Sequence, residues 1–266
     1  MTRFALTLLC VAGVIASIAR ADDKEELAKK LNNPVAALIS VPFQQNADYG
    51  IGANNDGVIY KLNIQPVVPI ELNGDWNLIS RTILPVVHWN RWVAPGEGTR
   101  FGLSDATQSF FFSPAKPSSW GGFIWGFGPA LLLPTATEGA LGSQKWGAGP
   151  TAVLLKQAGP VTAGFLANQI WSFAGNDQRR RVSQTFFQPF VAYTTHTATT
   201  FVVNLESSYD WPTSDWTIPA NFMISQVFKA GPQIMSVQLG YRTYLEAPAN
   251  GPSWGLRAAI VLLFPK

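Results

Sequence analysis

The sequence predicts an all-β fold, a transmembrane antiparallel β-barrel of about twelve strands preceded by a short helical segment. Three observations carry this. The closing stretch Ser253 to Phe264 sets Trp254, Leu256, Ala258, Ile260, Leu262 and Phe264 on alternate positions, so a strand turns all six to one side with an aromatic at each end. The opposite side holds Gly255, Arg257 and Ala259, and the arginine requires that side to meet water or a polar lumen. A composition of 12% aromatic and 13% charged residues, with 23 Gly and 19 Pro, argues against both a helical protein and an ordinary soluble enzyme.

The chain opens with an export signal over residues 1–21. Arg3 supplies the positive start, Phe4 to Ile18 is an apolar run, and Ala19-Arg20-Ala21 is an A-x-A cleavage signature before Asp22. The run is short for a spanning helix of about 20 residues, which disfavours an uncleaved anchor. With Arg3 and Arg20 removed, 17 basic residues face 16 acidic ones, so the net charge of +3 for the whole chain falls to +1. Apart from Arg179-Arg180-Arg181 no basic cluster is present, and no nucleic-acid partner is expected. The single cysteine, Cys10, lies in the signal, leaving no disulfide or thiolate metal site.

Residues 22–33 form a short periplasmic or lumen segment. Asp23-Lys24-Glu25-Glu26-Leu27-Ala28-Lys29-Lys30-Leu31 places acids first and bases last, with Leu27 and Leu31 four apart, as a short helix prefers. It either enters the lumen as a plug or hangs in the periplasm.

The barrel itself occupies residues 34–266. Strand-like segments run near 35–45, 58–69, 76–89, 106–114, 120–134, 145–156, 160–173, 182–194, 198–211, 216–229, 233–246 and 253–264. Their number is even, as bacterial single-chain barrels require, and the breaks after odd segments are longer than those after even ones. Long loops outside and short turns inside place both ends of the barrel in the periplasm. Tyr60, Leu62 and Ile64 alternate with Lys61, Asn63 and Gln65, and Phe201, Val203 and Leu205 with Asn204, Glu206 and Asp210. Phe222 and Ile224 oppose Asn221 and Lys229, and Leu239, Tyr241 and Leu245 oppose Arg242 and Glu246. Trp76, Trp89, Trp120, Trp146, Trp171, Trp211, Trp216 and Trp254 fall at segment ends, as an interfacial girdle does. A secreted soluble β-sandwich also alternates, but with its apolar face inward and no two-sided loop bias. Pro66, Pro85, Pro129, Pro150, Pro189 and Pro219 stand against the strand assignment unless they occupy ends or bulges.

The inward candidates are Lys61, Asn63, Gln65, Asn204, Glu206, Asp210, Asn221, Lys229, Arg242, Glu246 and Arg257. Both signs occur, so these side chains either line a watered path or pair and seal it. Phe110-Phe111-Phe112, Leu131-Leu132-Leu133 and Phe186-Phe187 do not alternate and turn some apolar groups inward. That favours a solute of aromatic or apolar character, or packing against a plug. No catalytic residue, cofactor or metal site is expected: His88 and His196 fall at opposite ends, and Val87-His88-Trp89-Asn90 offers no adjacent serine nucleophile.

Asn33 to Gln44, Asp75-Trp76-Asn77-Leu78-Ile79-Ser80-Arg81-Thr82, Lys145-Trp146-Gly147-Ala148-Gly149-Pro150 and Trp254-Gly255-Leu256-Arg257 resemble blocks of bacterial outer-membrane transporters. The group is similar to the family named for the MetA pathway of phenol degradation. The resemblance covers nearly the whole mature chain and implies a barrel for small-molecule passage, without naming a substrate. Outer-membrane lipid, a small solute and the assembly machinery are the expected partners. A sealed barrel adhering through Arg91 to Asp105 is the alternative function, and a lipid-modifying enzyme the third. The end, Phe264-Pro265-Lys266, departs from the terminal aromatic usual in such barrels.

Overall fold

In the computed structural model the described residues are 23–90 and 98–264. The export signal and Pro265-Lys266 lie outside them, as do residues 91–97 of the stretch proposed for adhesion, whose Arg100–Leu103 is strand rather than loop. Twelve strands make the barrel: β1 (Ile39–Ile51), β2 (Gly57–Ile64, continued by Val67–Glu71), β3 (Trp76–Trp89), β4 (Arg100–Leu103, continued by Ala106–Pro114), β5 (Phe123–Leu133) and β6 (Lys145–Ala158). There follow β7 (Val161–Gly175), β8 (Ser183–Thr194), β9 (Thr199–Leu205, continued by Ser207–Asp210), β10 (Asp215–Ala230), β11 (Gln233–Glu246) and β12 (Trp254–Phe264). Each strand pairs antiparallel with the next. The ring closes where β12 returns to β1, in register from Ile39 opposite Phe264 to Tyr49 opposite Trp254. Closure leaves no free edge, so the backbone groups of every strand find partners within the sheet.

The faces are inverted relative to a soluble sandwich. Phe222 and Ile224 on β10 and Leu256 and Ile260 on β12 stand exposed, while Asn221, Arg257 and Ala259 between them are buried. Aromatics gather at both ends of this outer belt. At the end with the longer loops Tyr49 stacks on Trp254 at 4.5 Å and Tyr209 meets Trp216 at 4.8 Å. At the end with the tight turns Trp76 meets Trp125 edge-on at 5.7 Å. Gly159-Pro160 and Gly231-Pro232 form two of those turns, with glycine φ of 57° and 59°, the positive value a two-residue hairpin asks of its first position.

Prolines punctuate the strands. Pro66 occupies the interruption of β2, where its carbonyl accepts from Thr82 N at 3.1 Å. Pro219 sits at a register shift between β10 and β11, and its carbonyl accepts from Glu206 N, the residue at the interruption of β9. Pro129 and Pro150 face each other across β5 and β6. The missing N–H groups thus fall largely at interruptions, bulges or a mutual pair.

The first strand is the main departure from the sequence expectation. It begins at Ile39 and runs to Ile51, not 35–45. Residues 34–38 stay off the wall and continue the chain inward from the N-terminal helix, residues 23–31.

Candidate functional site in the barrel lumen

An ion-paired belt crosses the lumen. The interruption of β9 turns Glu206 inward, and Arg257 of β12 donates from Nη1 and Nη2 to its two carboxylate oxygens, both at 2.8 Å. Such a bidentate fork is the strongest geometry available to the pair. Arg257 Nε donates to Asn46 Oδ1 at 2.7 Å, which holds the guanidinium plane. Arg242 of β11 lies 3.2 Å from Asp48 Oδ1 and 3.6 Å from Glu206. Its contact to Oδ1 is not aligned as a hydrogen bond. Register explains the assembly: Asn46 stands opposite Arg257 on one side and Lys61 on the other. Gly255 faces Asp48, and a Cβ there would come within 2.6 Å of Asp48 Oδ1.

Beside the belt lies a cavity of about 470 Å³. Arg257 and Glu206 form part of its wall, together with Arg81 of β3, Asn63 and Gln65 of β2, and amide and hydroxyl side chains from other strands. Arg81 Nη2 donates to Gln65 Oε1 at 3.1 Å. One side is apolar: Leu166, Phe186 and Phe190 line it, backed by the buried cluster of Ile79, Phe111, Val153 and Leu155.

The turn end of the cavity is covered by the N-terminal segment. Its helix carries i,i+4 pairs Glu25–Lys29 at 2.7 Å and Glu26–Lys30 at 2.8 Å. Glu25 also meets His196 Nδ1 at 2.8 Å, tying the helix to the turn between β8 and β9. The Lys29 ammonium first, and His196 second, hold the Glu25 carboxyl below its ordinary range. Ala28 packs with Leu38, Ala198, Val227 and Leu263, and Leu27 and Leu31 lie against them. Beyond the helix, Val35 enters the apolar cluster of Ile79 and Phe111. Of the two phenylalanine runs, Phe111 and Phe186 are thus the members turned inward, and they pack on this segment's own cluster.

The sequence candidates divide by depth. Asn63, Gln65, Asn204, Glu206 and Arg257 line the cavity. Asn221 is wholly buried and donates to Asn204 Oδ1 at 2.7 Å, and Arg242 and Lys61 belong to the belt. Three are corrected. Asp210 lies at the loop rim, where Arg180 reaches it at 2.6 Å. Lys229 is exposed beside the turn after β10, and Glu246 is exposed at the last position of β11. Strand alternation continues past the edge of the lumen, so parity alone does not mark where the lumen ends.

Asp48, Asn46 and Arg81 were absent from that set. Ser40, Gln44, Asn46 and Asp48 do alternate, which is the signal that marks the first two. Arg81 shares its face with Ile79 and Ile83, so no polar alternation marks it. His88 lies among aromatics, 5.9 Å from Tyr60 and 6.4 Å from Phe101 between ring centres.

No family model matches the chain, and no curated protein matches it. Among solved structures it is similar to an outer membrane channel from Pseudomonas putida F1, with a TM-score of 0.64 and 16% identity, covering 85% of this chain and 94% of that one. Outer membrane phospholipase A from Escherichia coli aligns at a TM-score of 0.48 and 11% identity, over 85% and 89% of the two chains. A FadL homologue from Pseudomonas aeruginosa aligns at 0.35 and 10%, over 87% and 91%. At these identities the likeness is one of fold, a closed antiparallel barrel.

Proposed function

We propose that the chain is an outer-membrane channel for passive passage of small molecules, with its lumen partly occupied by its own N-terminal segment. The observation that carries this is the inverted barrel: an apolar aromatic-edged outer face surrounding a cavity walled by amides, hydroxyls and arginines. An outer face of that kind calls for lipid, and a closed barrel is the form in which strands cross it. The fold shared with the Pseudomonas putida channel supports the reading, as does the resemblance to the phenol-degradation transporter group. Assembly machinery and outer-membrane lipid are the partners this reading requires.

The test is conductance. The purified mature chain in planar bilayers gives discrete current steps, and its liposomes swell in small solutes; bilayers that never conduct, with liposomes that stay tight, overturn the proposal. The apolar cluster and the covering helix favour one rival, a sealed barrel acting through its loops. Replacing the loop between Asn90 and Arg100 by a short turn separates the two: loss of surface binding with no change in solute entry supports the rival.

A further inference from the structure

The belt does not balance. The guanidiniums of Arg81, Arg242 and Arg257 supply three cations, and Asp48 and Glu206 supply two carboxylates, leaving at least one positive charge. Both carboxylates are already engaged, by Arg242 and Arg257. Among the described residues, neither Lys61 nor Arg81 has a carboxylate within ion-pair distance. Arg81 is the surplus cation that faces the cavity, and its one side-chain hydrogen bond goes to a neutral amide, Gln65. A guanidinium carries five N–H donors, enough to take a carboxylate as well as Gln65.

The neighbourhood of Arg81 is divided in a way that suits one class of solute. Two residues along the same inward face lies Ile79, fully buried in the cluster that Phe186, Phe190 and Leu166 join. Phe186, Phe190 and Leu166 line the same cavity as Arg81, so a single small solute has a guanidinium and an apolar wall within one enclosure. On the other side of Arg81 stand Gln65 and Asn63, the latter with a buried Oδ1 that has no partner. A cavity of about 470 Å³ lies within the range of small-molecule sites.

We infer that this cavity is a binding site for a small monocarboxylate with an aromatic or branched apolar body, the carboxylate on Arg81 and the body against Phe186, Phe190 and Leu166. The inference deepens the channel reading by naming the solute class, and it rests on the lumen being the solute path. Charge selects the anion, and the apolar wall discriminates against chloride, phosphate and acetate, which have nothing to place there.

The test uses the folded full-length mature chain in detergent, with benzoate, benzamide, benzylamine and acetate as probes, titrated by calorimetry and by saturation-transfer NMR. Benzoate binds at least tenfold tighter than benzamide, benzylamine and acetate. Arg81→Gln weakens benzoate about ten- to hundredfold, the loss of one charged hydrogen-bonded contact, and leaves benzamide unchanged. Arg81→Lys restores part of it, since it keeps the charge without the fork. Phe186→Ala weakens benzoate and benzamide alike. Should Arg81→Gln not fold, as judged by heat-modifiable migration, the Arg81→Lys and Phe186→Ala results decide. Equal binding of benzoate and benzamide, or benzoate binding indifferent to Arg81, overturns the inference. Liposome flux separates this from the channel reading: benzoate that binds but does not cross sinks passage alone, and equal flux of all four probes without binding sinks the site alone.

Discussion

Replacing Glu206 by glutamine removes the anion at the centre of the belt while keeping its size. Arg257 keeps one of its two 2.8 Å bonds, to the amide oxygen, and loses the other, and Arg242 loses an attraction at 3.6 Å, so two guanidiniums buried to 4% and 7% exposure lose a carboxylate together. Breaking a fully buried pair from one side costs about 3–5 kcal/mol. The Glu206 side chain retains 21% exposure toward the cavity, and water there screens part of the charge, so the expected cost is about 2–4 kcal/mol. Arg257→Met is expected to cost a similar amount. In Glu206→Gln/Arg257→Met neither charge of the pair remains, so the double variant recovers at least about 1.5 kcal/mol relative to the sum of the single changes. Reversible urea unfolding in detergent, followed by tryptophan fluorescence and by heat-modifiable migration, measures all three. A coupling energy indistinguishable from zero refutes the argument that this pair organises the lumen.

Three further outcomes are expected. Gly255→Ala brings a Cβ within 2.6 Å of Asp48 Oδ1 and 2.7 Å of Ala47 O, and destabilises by about 1–3 kcal/mol in the same assay; an unchanged midpoint contradicts the assigned register. Ile260→Arg, on the outer face near the middle of β12, lowers stability in lipid by about 2–4 kcal/mol, and a neutral result there argues that this face does not meet lipid. Glu25 is depressed in the folded chain, so its contribution is present above its unfolded value of 4.5 and is lost as pH falls through the lower folded value. A spin label on Glu26→Cys therefore gains mobility only below pH 4.5, and Glu25→Gln, mobile at neutral pH, shows no acid step; a label equally fixed at all pH values removes the acid anchor.

The strands with a lipid-type face were readable from the chain alone. β12 alternates end to end, and β10 and β11 through their middles, where the outer side is mostly apolar. The inner side obeys no comparable rule. It is polar where carboxylates and guanidiniums meet, and apolar where Ile79 and Phe111 receive Val35. Arg81 was accordingly invisible. Asp48 was missed for another reason: Asn46-Ala47-Asp48-Tyr49-Gly50 is rich in turn formers, and pairing with β12 on one side and β2 on the other holds it extended. Lys229 and Glu246 show the opposite error, alternation followed beyond the rim. Which way residues 22–33 went was open for want of any local signal, since the Glu25 contact to His196 spans most of the chain.

The belt has a consequence for assembly. Asn46 and Asp48 belong to the first strand, and Arg242 and Arg257 to the last two. In an open sheet these groups stand at opposite edges and cannot meet, and Glu206, three strands from Arg257, is drawn to it by curvature alone. An incomplete ring therefore keeps guanidiniums unneutralised at its margin, where leaving water is costly. The electrostatics thus act as a latch that engages once the two ends of the wall have been sewn together, and an unsewn intermediate is held back from the apolar phase.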